Sequence, residues 1–148
     1  MLSSVSDKNG TITYTYDIMS GLKSVTTYDG STIEYNYDNV CRLTAVETPF
    51  GTTQYEYDLM GKLVRVVAHD GTATLYEYDV NGNRTAVRYA NGIVASYEYD
   101  EVNRLVREKV LDKNGAPVVE YEYTLGASGE RLKVVETGRT VEYEYDEL

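Results

Sequence analysis

One short motif returns along this chain at a near-constant interval. Tyr-x-Tyr occurs seven times, at Tyr14/Tyr16, Tyr35/Tyr37, Tyr55/Tyr57, Tyr76/Tyr78, Tyr97/Tyr99, Tyr121/Tyr123 and Tyr143/Tyr145. Every pair but the sixth runs directly into aspartate: Asp17, Asp38, Asp58, Asp79, Asp100 and Asp146. Fourteen of the sixteen tyrosines sit in these pairs, most of them 20 to 22 residues from the next copy. Such a period defines one supersecondary unit that cannot bury its apolar face alone and so stacks on its neighbours. Arrays of this kind make surfaces and scaffolds more often than active sites.

Each unit has two arms. The first alternates strictly, as in Thr32-Ile33-Glu34-Tyr35-Asn36-Tyr37 and Thr53-Gln54-Tyr55-Glu56-Tyr57. Alternation with β-branched and aromatic residues predicts a strand, with both tyrosines on one face and the polar residue between them on the other. The second arm carries apolar residues three apart: Leu22/Val25, Leu43/Val46, Leu63/Val66 and Leu132/Val135. A step of three flips the face of a regular strand, so this arm either serves both faces or contains a bulge. In a meander each tyrosine packs against Leu or Val of the intervening strand rather than on another tyrosine. Arg42, Lys62, Arg65, Arg88, Arg107 and Lys133 on the second arms are placed to pair with Glu56, Glu77, Glu98, Glu122 and Glu144.

Two kinds of turn join the arms. The first reads Asp-x-x-Gly, as in Asp58-Leu59-Met60-Gly61 and Asp79-Val80-Asn81-Gly82. Its aspartate accepts backbone N–H groups of the turn, and its glycine supplies positive φ. Asn103 replaces the glycine as expected for a left-handed position. Cys41 and Ser20 fill the same slot and are not expected there. The second turn closes on Asp29-Gly30, Asp70-Gly71, Asn91-Gly92 or Asn114-Gly115, the strongest short-range hairpin signal. The chain is therefore expected to be all-β, an array of about seven β-hairpins in one coiled or curled antiparallel meander sheet. Residues 1–148 read as a single array. Leu2-Ser3-Ser4-Val5 begins on a second arm and Tyr143–Asp146 ends on a first arm. Both ends lack capping repeats, which predicts a segment of a longer array or a unit pairing edge to edge.

Composition narrows the partners. Asp and Glu number 24 against 14 Lys and Arg, which excludes a nucleic-acid footprint and disfavours an anionic membrane surface. Tyrosine is the only abundant aromatic, beside one Phe and no Trp. Its ring buries while its hydroxyl reaches a polar partner, so the core is expected to be a layer. A single cysteine forms no internal disulfide. No apolar run reaches membrane-spanning length, and no signal peptide is read at the N-terminus.

Chemical candidates are few. The turn aspartates are read as backbone caps rather than calcium ligands or paired acids. His69, beside Asp70-Gly71, is read as a solvated hairpin tip and Cys41 as a tolerated glycine replacement. No phosphate-binding loop, metal-ligand cluster or cofactor motif is present, and the chain is expected not to be an enzyme. The tyrosine rows, with Tyr76 and Tyr97 foremost, supply the alternative of a carbohydrate- or protein-binding surface. Packing of the sheet is the preferred reading.

Tyr-x-Tyr-Asp-x-x-Gly-x-Leu alternating with Asn/Asp-Gly resembles the YD repeat of the Rhs family. The match is best over Tyr76-Glu77-Tyr78-Asp79-Val80-Asn81-Gly82-Asn83-Arg84-Thr85 and Tyr97-Glu98-Tyr99-Asp100-Glu101-Val102-Asn103-Arg104-Leu105. The resemblance implies a β-ribbon that spirals into a hollow shell, enclosing a toxic domain in bacterial Rhs and Tc-type toxins and belonging to an adhesion ectodomain in teneurins. It implies a structural role in a larger secreted or cell-surface parent. The partners it implies are adjoining repeats or sheet edges and an encapsulated toxin or other cargo, with a glycan as the second reading. The chain has no Asp-Pro, which the family's self-cleaving segment contains, and no non-repetitive C-terminal domain. Self-cleavage and toxicity are not carried over.

Overall fold

A computed structural model describes residues 1–19 and 21–146. Among the described residues the regular elements are all strands. They are β1 (Ser4–Asp7), β2 (Gly10–Tyr16), β3 (Leu22–Thr26), β4 (Thr32–Tyr37), β5 (Leu43–Thr48), β6 (Gly51–Tyr57) and β7 (Leu63–Val67). There follow β8 (Ala73–Tyr78), β9 (Arg84–Arg88), β10 (Val94–Tyr99), β11 (Leu105–Leu111), β12 (Pro117–Leu125), β13 (Arg131–Glu136) and β14 (Arg139–Glu142). They lie in the sheet in chain order, and the sheet is not closed on itself. This is the expected meander of hairpins. The chain divides into two compact units, Met1–Ala73 and Thr74–Leu148.

In the first unit the register settles the question of the second arm. Tyr14 lies opposite Val25 and Tyr16 opposite Leu22, so Lys23 is left over. Tyr35/Tyr37 face Val46/Leu43 with Thr44 left over, and Tyr55/Tyr57 face Val66/Leu63 with Val64 left over. The arm contains a bulge of one residue at the same place each time. The bulge cancels the face reversal that a step of three would impose, and Leu and Val both come to the tyrosine face.

The second unit keeps this frame for Tyr76/Tyr78 against Val87/Arg84 and for Tyr97/Tyr99 against Glu108/Leu105. The sixth repeat departs from it. Tyr123 lies opposite Val134 and Leu125 opposite Arg131, with Leu132 in the bulge. Tyr121 faces Glu136 instead. Tyr123 and Leu125 thus stand where the other units place their two tyrosines, and Gly126 stands where they place aspartate. The expected Leu132/Val135 pair is corrected accordingly: Val134 is buried, and both Leu132 and Val135 are exposed.

The aspartate turns share one backbone pattern. The Asp58 N–H donates to the Lys62 carbonyl at 2.9 Å and the Gly61 N–H to the Asp58 carbonyl at 3.0 Å, and Asp38 and Asp100 anchor the same pair. The fourth residue takes positive φ, 82° at Gly61 and 94° at Gly82, but also 63° at Asn103 and at Cys41. Cys41 therefore carries a side chain in a conformation that costs about 1 kcal/mol without glycine. Ser20, in the same slot, lies outside the described residues.

The core is thin, as the tyrosine-rich composition predicts. Its buried apolar residues among those described are Ala86, Val87, Ala95 and Val134, all in the second unit. The paired tyrosines of β2, β4, β6, β8, β10 and β12 are half-buried. Stability is carried by a repeated layer of half-covered rings rather than by a centre.

Candidate functional site

The most regular feature of the structure is a ladder of tyrosine hydroxyls. The second tyrosine of a pair donates to a backbone carbonyl at the start of the preceding second arm. Tyr16 donates to Leu2 at 2.9 Å, Tyr37 to Leu22 at 3.0 Å and Tyr57 to Leu43 at 2.9 Å. In the second unit Tyr99 donates to Arg84 at 3.0 Å and Tyr145 to Arg131 at 2.8 Å. The acceptor is always main chain, so the rung needs only a tyrosine at the right phase. At β12 the phase position is Leu125, which has no hydroxyl to offer. Tyr121 donates instead to Glu136 Oε1 at 3.2 Å, and its ring stacks on Tyr123 with centroids 6.3 Å apart.

Replacing Tyr57 by phenylalanine keeps the ring beneath the Arg42 guanidinium, 4.9 Å from its centroid, and removes one rung. The expected loss is about 1 kcal/mol in urea-induced unfolding. An unchanged midpoint would show that the hydroxyl is equally well satisfied by water.

The turn aspartates do what their position predicts. One carboxylate oxygen accepts two backbone N–H groups in each: Met19 and Gly21 at Asp17, Val40 and Arg42 at Asp38, Met60 and Lys62 at Asp58. Asp79 takes Asn81 and Asn83, and Asp100 takes Val102 and Arg104. The other oxygen often holds the residue four places on, as in Arg42–Asp38 and Arg104–Asp100, each 2.7 Å. These arginines also reach the next turn, Arg42 to the Asp58 carbonyl at 3.4 Å and Arg104 to the Gly126 carbonyl at 2.7 Å. Asn83 does likewise with Asn103, at 2.7 Å.

The opposite face of the sheet carries the expected cross-strand pairs: Arg65–Glu56 and Arg88–Glu77 at 2.6 Å, and Arg107 among Glu98, Glu120 and Glu122. Lys133 pairs with Glu142 at 3.5 Å rather than with Glu144. Arg42 pairs in its own turn. Arg65–Glu56 and Arg88–Glu77 are exposed and add little stability, whereas Arg107 and Glu120 are half-buried.

Backbone donors in the turns hold Asp38 and Asp100 below the ordinary aspartate value of 3.8, and the Asn83 side chain does so for Asp79. Their contribution is complete above that value and is lost as pH falls through the lower folded values. Burial raises the hydroxyls of Tyr37, Tyr97 and Tyr123 above 10. Their contribution is complete below the unfolded value and is lost as pH rises through the folded one. The thermal midpoint followed by circular dichroism is therefore expected to be level between about pH 5 and pH 9 and to fall on both sides. Asp38→Asn with Asp100→Asn should flatten the acid limb; an acid limb equally steep in that variant would assign it to other carboxylates.

The remaining candidates are not brought together. His69 is exposed at the β7–β8 turn, and Cys41 is exposed at the β4–β5 turn on the other long edge of the first unit. A strand length of roughly 17 Å separates those edges. No cluster of three or more His, Cys, Asp or Glu side chains placed to hold a metal occurs among the described residues. Tyr76 and Tyr97 are both half-buried on the tyrosine face. The Arg84 guanidinium already lies 5.1 Å from the Tyr97 ring centroid, so a sugar stacking there would have to displace it. One surface depression lies between the Asp17 and Asp38 turns and is lined by Tyr16, Tyr35 and Tyr37. Sequence reading missed the carbonyl acceptors of the ladder. Their signal was the spacing of 14 or 15 residues between tyrosine and acceptor, which is nearly constant.

Bulged hairpins, aspartate-capped turns and a tyrosine–carbonyl ladder together define a β-hairpin repeat protein of the YD type. The family model of the teneurin YD-shell matches residues 2–148, and the chain belongs to that family. No curated protein matches it. Among solved structures, the crystal structure of TcdB2-TccC3 covers 92% of this chain at a TM-score of 0.75 and 14% identity. TcdB2-TccC3-Cdc42 covers 92% at 0.74 and 14% identity, and TcdB2-TccC3 without its hypervariable C-terminal region covers 90% at 0.72 and 14% identity. This chain spans 8% of each of those chains. At that identity the likeness is one of fold.

Proposed function

We propose that the chain is a non-enzymatic wall segment of a larger secreted or surface-displayed protein, which with adjoining repeats encloses a toxin or other cargo. The observation that carries this reading is the tyrosine–carbonyl ladder. The repeats ending on Tyr16, Tyr37, Tyr57, Tyr99 and Tyr145 fasten to the preceding second arm through main-chain acceptors, so the array lengthens by repetition, the sixth repeat excepted. The family match and the toxin structures of the same fold support it. Sheet edges and neighbouring repeats are the partners of such a wall.

The reading is tested by limited proteolysis of the parent polypeptide. Disrupting two adjacent turns with Asp38→Ala and Asp58→Ala should expose enclosed sequence to protease at concentrations that leave the unaltered parent uncut there. Identical digestion of the two would refute enclosure by this wall.

A further inference from the structure

Glutamate enters the tyrosine face twice in the second unit. Opposite the first tyrosine of a pair, the earlier second arms supply Val25, Val46, Val66 and Val87. Opposite Tyr97 the chain supplies Glu108, which on its other side faces Tyr121. Tyr121 in turn faces Glu136. Directly opposed residues share a face with Cβ atoms about 5 Å apart, so Tyr97, Glu108, Tyr121 and Glu136 form one row across four strands. Both glutamates are half-buried. Among the described residues the Glu108 carboxylate has no hydrogen bond and no ion pair, and that of Glu136 has only the Tyr121 hydroxyl, at 3.2 Å. A half-buried carboxylate without a partner carries a cost that valine would not. The cations of this face do not relieve it. Arg84 lies over the Tyr97 ring and Arg131 over the Tyr123 ring, and neither is ion-paired with Glu108 or Glu136. Arg139 faces Glu136 across β13 and β14 without pairing with it. The bond to Glu136, the charge of that carboxylate and burial raise the Tyr121 hydroxyl above 10, and the Glu108 charge adds to the rise, so both acids act on this one ring.

We propose that the Tyr121 ring, between Glu108 and Glu136, takes an arginine side chain presented by a partner polypeptide. The carboxylates set the sign of the ligand and the ring sets its kind. Two acids on either side of an aromatic ring suit a delocalised cation, whereas a calcium ion takes about six to eight oxygens. A guanidinium is planar, stacks on tyrosine and carries donors along its edge for a carboxylate on each side. The chain covers Tyr57, Tyr97 and Tyr123 in this way with its own Arg42, Arg84 and Arg131. Tyr121 has the ring and the carboxylates but no arginine of this chain over it. The site lies on the face of a sheet, so it holds the head of a side chain while the rest of the partner runs along the surface. The inference stands apart from the wall reading, which does not need it.

N-acetyl-arginine amide, whose one charge is the guanidinium, serves as the probe. It is titrated at low salt into protein with isotope-labelled tyrosine rings and followed by NMR. The expected result is a saturable shift at Tyr121 and its stacked neighbour Tyr123, and none with the uncharged citrulline analogue. Glu108→Gln should weaken binding at least about fivefold. Glu98→Gln, the same change of charge on the opposite face of the sheet, should leave it unaltered. Glu108→Val, which restores the residue of the earlier repeats, should abolish binding and raise the urea midpoint. No saturable shift overturns the proposal. So do shifts that persist in Glu108→Val or weaken equally in Glu98→Gln, which would assign them to the general acidity of a chain of net charge −10. A lower urea midpoint in Glu108→Val also overturns it, because the carboxylate would then serve the sheet itself.

Discussion

Gly51→Ala is expected to destabilise the first unit by about 3 kcal/mol, and Gly71→Ala by only about 1 kcal/mol. Both glycines close turns on the same edge, and both have positive φ, 134° and 82°. Two differences separate them. The Gly51 conformation lies where residues with a Cβ are scarcely found, whereas that of Gly71 is close to the left-handed region that asparagine and cysteine enter elsewhere in this chain. A Cβ on Gly51 would also lie 2.5 Å from the Cβ of His69, while one on Gly71 would meet nothing within 4 Å. Gly10 and Gly92 stand in the same relation to Tyr28 and Lys113, at 2.7 and 2.8 Å. At these three turns the tips nest, Gly10, Gly51 and Gly92 each receiving the first residue of a neighbouring tip, whereas Gly30, Gly71 and Gly115 receive none. His69→Gly in the Gly51→Ala background should recover the collision but not the backbone strain, leaving a residual loss of about 1 to 2 kcal/mol. Urea unfolding of these three variants beside the unaltered protein measures this. Equal costs at Gly51 and Gly71 would show that nesting contributes nothing.

That nesting marks the limit of what the sequence discloses. Strand positions, aspartate caps and the meander order were legible because each is a local pattern of period two or a turn signature. Each copy also repeats the signal, so errors at one repeat are corrected by the next. The bulge was half legible. The step of three from Leu22 to Val25 requires an irregularity or a change of face, and only the cross-strand register of Tyr14 with Val25 and Tyr16 with Leu22 chooses between them. The role of His69 was not legible at all. It depends on Gly51, eighteen positions earlier, and no intrastrand pattern links the two. The tyrosine ladder failed to show for a related reason, since its acceptors are backbone atoms common to every residue. The frame of the sixth repeat was misread because Tyr121 and Tyr123 preserve the motif while the turn two residues later sets the register. Where a motif and a turn disagree, the turn decides: its backbone bonds fix which residues oppose each other.

Gly126→Asp, which restores the missing aspartate of that sixth repeat, is expected to destabilise the protein by about 2 kcal/mol when made alone. The turn itself is intact. The Gly126 N–H donates to the Glu130 carbonyl at 2.8 Å and the Gly129 N–H to the Gly126 carbonyl at 3.1 Å, with Gly129 at positive φ, as in the aspartate turns. What differs is the carboxylate. In the other units an aspartate begins the turn, and the residue four places later is Gly21, Arg42, Lys62, Asn83 or Arg104, never an acid. Here glycine begins it and Glu130 stands at the fourth place, with its carboxylate in the space a side chain on Gly126 would enter. One acidic group has moved from one end of the turn to the other. Adding an aspartate would crowd two like charges where Glu130 Oε2 already lacks a hydrogen-bond partner among the described residues. Glu130→Arg alone should be close to neutral, since the carboxylate it removes carries an oxygen with no hydrogen-bond partner among the described residues. The double variant, Gly126→Asp with Glu130→Arg, rebuilds the Asp38/Arg42 arrangement and sheds the unfolded-state freedom of a glycine. It should exceed the unaltered protein by about 1 kcal/mol, a coupling of about 3 kcal/mol between the two sites. A double-mutant cycle in urea measures that coupling directly. Strictly additive effects would mean that the Glu130 carboxylate does not obstruct a side chain at position 126, and that the sixth turn holds its shape through Gly129 and the Arg104 bond to the Gly126 carbonyl.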